Sequence, residues 1–210
     1  MIINFCSLSK TIPQALFLEP ERFLTYNKLD PRLYQCPAIA DFYKNKFIIK
    51  SPFDFSCEVE RKEDHLLVKT QANEILRSNF FETSISNDLQ LIIFDYVFWS
   101  DEDVEMEVIP ISIDNLLPIA GMYNIKNWIR PIHPSYHIYS SVEKFNFNIK
   151  REDPYLYVKF NTKEKVELKY NFDKYILEES KKMARSSMYM KGFRKFFKAF
   201  EKIRPRKLTK

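Results

Sequence analysis

Glycine is almost missing from this chain, with 2 in 210 residues. Phosphate cradles built from bare backbone depend on residues without a Cβ, so this shortage argues against P-loops and dinucleotide-binding turns. Neither Gly121 nor Gly192 falls in such a pattern. Cysteine is scarce and odd in number. Cys6, Cys36 and Cys57 lie far apart with no CxxC pair, which fits a reducing compartment better than a disulfide framework. No apolar run approaches the ~18 residues that would span a bilayer. The start, Met1 to Phe5, has neither the basic opening nor the continuous apolar centre of a secretory signal. The expectation is a soluble, intracellular protein with no transmembrane segment.

Aromatic residues fill the space that glycine leaves, with 19 Phe and 12 Tyr, and apolar residues reach 45%. That is enough for a packed core, so wholesale disorder is not expected. Charge is unevenly spread. Residues 174–210 hold 13 Lys or Arg against three Glu, a balance of +10; with +5 for the whole chain, residues 1–173 carry −5. Two units are therefore expected: a mildly acidic body, 1–173, and a basic C-terminal segment, 174–210.

Alternation dominates the body. Phe145, Phe147 and Ile149 alternate with Asn146, Asn148 and Lys150, which places the apolar set on one face of a strand. Arg151 to Pro154 reads as a turn, and Tyr155 to Phe160 as a second strand, so the pair predicts a hairpin. Lys165 to Tyr170 extends it towards a meander. Leu89 to Trp99 is a nearly continuous apolar run interrupted by Asp95, and predicts one buried strand bent at the aspartate. Pro37 suits the first turn of a helix over Ala38 to Tyr43. Many short extended runs at roughly ten-residue spacing predict a mainly β fold, an antiparallel β-sandwich or jelly-roll-like body. In the C-terminal segment Ile176, Met183, Phe193, Phe196, Phe197 and Phe200 recur at helical intervals, so an α-helical segment is expected there.

Four stretches carry a resemblance: CPAIADFYKNKFIIKSPFDF, FWSDEDVEMEV, WIRPIHPSYHI and NIKREDPYLYVKF. Here the chain resembles a group of uncharacterised proteins encoded by T4-like and marine bacteriophages, over about residues 34–170. The resemblance implies phage origin, expression in the cytoplasm of an infected bacterial host, and a mostly β body. It transfers no catalytic residue. The basic C-terminal segment lies outside it.

Candidate sites follow from residue chemistry. His133 and His137 form an H-x3-H pair, a candidate metal pair of a cupin-like enzyme if Glu105, Glu107 or Asp114 supplied a third ligand. The neighbouring Pro131 and Pro134 oppose the helix that would align the two rings, and on an extended strand they stand ~13 Å apart. No nucleophile elbow is present, and nothing in the sequence sets a histidine beside a cysteine. Asp101, Glu102 and Asp103 read as a solvated turn. Trp128, Arg130 and Tyr136 form a candidate ligand site, with a stacked guanidinium offered to a phosphate or carboxylate; the plain alternative is an arginine tying down a loop. The strongest functional signal is Lys191, Arg194, Lys195, Lys198, Lys202, Arg204, Arg206 and Lys207 set among phenylalanines. These cations suit a host or phage protein groove, an anionic membrane, or the phosphates of nucleic acid; alternatively the phenylalanines pack on the body and the cations face water. A non-enzymatic macromolecule-binding role, without a cofactor, is the expectation.

Overall fold

A computed structural model describes residues 1–7, 17–28, 30, 32, 35–62, 65–71, 81–83, 88–91, 96–139, 141–176 and 178–180. In chain order the elements are β1 (Ile2–Ser7), β2 (Glu21–Arg22), α1 (Phe23–Asn27), α2 (Pro37–Tyr43), β3 (Lys46–Lys50), β4 (Phe55–Lys62) and β5 (His65–Gln71). Then come β6 (Phe81–Thr83), β7 (Asp88–Leu91), β8 (Tyr96–Trp99), β9 (Glu105–Pro110), β10 (Leu116–Ile119) and β11 (Gly121–Asn124). The series ends with β12 (Ser135–Ile138), β13 (Lys144–Ile149), β14 (Pro154–Asn161) and β15 (Glu167–Tyr170). Residues 174–176 and 178–180 are helical.

The strands form four sheets, in the orders β15-β1-β8, β10-β12-β7-β6, β11-β9-β14-β3-β2 and β13-β4-β5. All four give side chains to one core. Ile3, Phe5 and Phe98 come from the first sheet; Leu89, Leu116 and Tyr136 from the second; Phe47, Met106 and Phe160 from the third; Phe55, Cys57 and Phe147 from the fourth. Phe98 meets Phe160 edge-on, ring centres 5.7 Å apart, which joins the first sheet to the third. The mainly β expectation therefore holds, and the alternation in β13 is realised with Phe145, Phe147 and Ile149 buried and the intervening residues exposed.

Three details of connectivity differ from the sequence reading. First, β13 and β14 do not pair. β13 lies against β4, from Lys144↔Glu60 to Ile149↔Phe55, whereas β14 lies between β3 and β9. The intervening turn is held by a different segment: Ser51 N donates to Asp153 O (2.8 Å) and Glu152 N donates to Ser51 O (2.7 Å). Glu152 takes a positive φ of 70° there, so the chain swings out of one sheet into the next. Second, β15 does not extend a meander. It runs parallel beside β1, Ile2↔Glu167 to Phe5↔Tyr170, and is the one parallel partner among the described strands. Third, the run Leu89 to Trp99 contains two strands in different sheets, β7 and β8; residues 92–95, including Asp95, lie outside the described residues. Period alone does not reveal which strand a given strand adopts as neighbour.

Within the first sheet, β8 is buried on both faces. Ile3 and Phe5 of β1 and Tyr96 and Phe98 of β8 face the main core, while Cys6, Val97 and Trp99 point the other way. That second face is closed by Ile129 and by Ile176, both buried, so the opening turn of the C-terminal segment is packed on the body. Full burial of an isoleucine contributes about 2 kcal/mol.

Candidate functional site

The segment from β11 to β12 is shaped by Asn124. Its Oδ1 accepts from Lys126 N (3.0 Å) and Asn127 N (3.3 Å), and its carbonyl accepts from Trp128 N (3.0 Å). The resulting turn presses Trp128 against Tyr123, ring centres 5.4 Å apart. The Arg130 guanidinium then stacks over the Trp128 ring at 5.2 Å, as the sequence suggested. Its Nε donates to the carbonyl of the next residue, Pro131, at 3.3 Å, a contact within the same loop. Tyr136, the third residue of that sequence-derived set, is elsewhere: it is fully buried in the main core from β12, and burial raises its phenol well above the ordinary range. Tyr123 occupies the place by Trp128 instead, its hydroxyl buried near the Arg130 charge. Burial raises that phenol too, opposed by Arg130.

His133 keeps part of its surface in water, yet its Nδ1 is shut away. Burial first, and the Arg130 charge second, push the imidazole down to about 3. His137 lies on β12 opposite Leu117 of β10 and Asp88 of β7. Among the described residues no group of three or more His, Cys, Asp or Glu is placed to share a metal, so the pair gains no third ligand there. Asp101, Glu102 and Asp103 are exposed on the β8–β9 turn, with Glu102 N donating to Ser100 Oγ at 3.1 Å. Cys6 and Cys57 are buried, which pushes both thiols up to about 12; Cys36 is exposed at the start of α2.

A cluster that alternation did not reveal stands on the outer face of the third sheet. Lys46 of β3 is 8% exposed, and its ammonium lies over four rings: Phe23 (4.5 Å), Tyr157 (4.8 Å), Phe42 (5.1 Å) and Tyr43 (5.5 Å). Phe23 comes from α1, Phe42 and Tyr43 from α2 and Tyr157 from β14, so two short helices complete a box on the sheet. Lys159 of β14 is the direct cross-strand neighbour of Lys46, and its ammonium also lies over Phe42 at 5.4 Å. Glu107 of β9 faces Lys159 from the other side. Burial and then the Lys159 charge lower the Lys46 ammonium, and Glu107 opposes them less strongly. The sequence signal was present but dispersed, since the four rings come from three elements.

The eight cations Lys191, Arg194, Lys195, Lys198, Lys202, Arg204, Arg206 and Lys207 lie outside the described residues. What the structure describes is their root. Asp173 Oδ1 accepts from Tyr175 N at 2.8 Å where the helical stretch begins, and Ile176 anchors that stretch on the back of the first sheet. No helix among the described residues is long and apolar enough to cross a membrane.

No protein-family model, curated protein or solved structure gives a significant match to the chain.

Proposed function

We propose that this is a non-enzymatic accessory protein of bacteriophage origin that binds an anionic macromolecule through its basic C-terminal segment, inside the infected bacterium. One observation carries the reading. A segment with a balance of +10 follows a body of −5, and its opening turn is packed on that body through the buried Ile176. A polyanion held by such a segment releases its counterions, so affinity falls steeply with salt. The phage origin and the cellular setting rest on the resemblance over residues 34–170.

The test is a charge-removal variant of the full chain, Lys191→Gln, Arg194→Gln, Lys195→Gln and Lys198→Gln together. Affinity for a single-stranded oligonucleotide, for polyglutamate, or for both drops at least tenfold in the variant, with an unchanged melting temperature. Binding as tight as that of the parent chain rejects the segment as the binding arm. Which of the two probes responds decides whether the partner class is nucleic acid or acidic protein.

A further inference from the structure

We infer that Lys159 and Phe42, backed by the enclosed charge of Lys46, form a second contact on the body itself, a site for one nucleotide unit of a single-stranded nucleic acid. The inference deepens the proposed function, resting on the reading that the partner is a polyanion and naming it as nucleic acid.

Two ammonium groups on directly opposed residues of neighbouring strands repel, and sheets ordinarily avoid such a pair. Here neither ammonium has a carboxylate within ion-pair distance or a hydrogen-bond acceptor among the described residues. Aromatic faces hold the two cations in place instead. Lys46 is 8% exposed beneath its rings whereas Lys159 is half-buried, so an anion meets the Lys159 ammonium directly and the Lys46 charge at longer range. A phosphate bound there accepts from Lys159, and the enclosed Lys46 charge adds to the attraction.

The identity of the ligand comes from Phe42. This ring touches both ammoniums and is nevertheless 55% exposed, on a helix of seven residues whose neighbour Tyr43 it meets edge-on at 5.0 Å. A flat exposed ring beside an accessible lysine supplies the two contacts that sequence-independent single-strand binding uses, a cation for the backbone and a face for a base. An acidic peptide has use for the charges alone. More positive charge continues along the rim, where exposed Lys44 donates to the carbonyl of Lys163 at 2.6 Å.

The experiment uses the full chain and a fluorescent oligothymidylate of about eight nucleotides, within the usual site size. Phe42→Ala lowers affinity about fivefold or more, as loss of one base stack should. Lys159→Gln weakens binding and reduces the salt slope by about 0.7, whereas Lys159→Arg retains it. Both side chains are solvent-accessible, and melting curves of all three variants verify the fold. If Phe42→Ala and Lys159→Gln bind like the parent while the C-terminal charge-removal variant does not, the body site is rejected and the arm stands. If the reverse holds, the arm is rejected and the body site stands. An equal loss of polyglutamate binding in Phe42→Ala overturns the choice of nucleic acid.

Discussion

The three thiols occupy different surroundings, and the difference is directly measurable. Cys6 and Cys57 are buried and held up at about 12, so neither is a thiolate at neutral pH, while Cys36 is exposed. A thiol-specific chromogenic reagent at pH 8 is expected to label one cysteine in the native protein and three in denaturant, and Cys36→Ser to abolish the native signal. Labelling of two or three native thiols would contradict the burial of the first and fourth sheets. His133 supplies a second residue-scale prediction. Its imidazole is held down to about 3 in the fold, against an ordinary 6.5, so the unfolded chain binds a proton that the folded chain does not. As pH falls below 6.5 that proton increasingly favours unfolding, and the loss of stability levels off at its full value beneath about 3. Urea midpoints should fall between pH 6 and 4, by at most about 1.4 kcal/mol per pH unit from this group. His133→Gln should flatten that limb, and an unchanged slope would show the ring to be solvated.

At the scale of elements, the junction of β3 and β14 depends on one side chain. Asn45 takes a positive φ of 56°, a conformation asparagine tolerates better than most residues. Its amide donates to Thr162 O (3.1 Å) and Glu164 O (2.7 Å), and its Oδ1 accepts from Val166 N (2.9 Å), so it clamps the loop that leads into β15. With the residue 2% exposed, Asn45→Ala leaves buried partners unsatisfied and should cost about 3 kcal/mol, read as a lowered urea midpoint. Loss below about 1 kcal/mol would mean that water replaces the amide. This element also shows what the sequence could and could not disclose. The alternation of Phe145, Phe147 and Ile149 announced a strand with one buried face, and Pro37 announced the start of α2, because both are local periodic or steric effects. The pairing of β13 with β4 rather than β14 was not legible, since β4 lies far back in the sequence, as does Ser51, which contacts Asp153. The Lys46 box was hidden for the same reason. Lysine at the start of a strand reads as a solvent-facing residue until Phe23, Phe42, Tyr43 and Tyr157 are brought around it. The Trp128–Arg130 stack was legible because its partners are two residues apart, and Tyr123 was missed because it arrives from β11.

For the whole molecule, four sheets share one core, and on the outer side of the first Cys6, Val97 and Trp99 are buried with Ile129 and Ile176. The body thereby carries the start of the cationic segment as part of its own packing, while the outer face of the third sheet gathers two ammoniums and a set of rings. The proposed function rests on charge. The most direct measurement of that claim is the affinity of the full chain for a single-stranded oligonucleotide and for polyglutamate across a range of salt. At least one should bind at low salt with a log–log slope steeper than about −2, corresponding to several displaced counterions. Absence of binding to both at low salt, or binding that does not change as salt rises, would contradict the account.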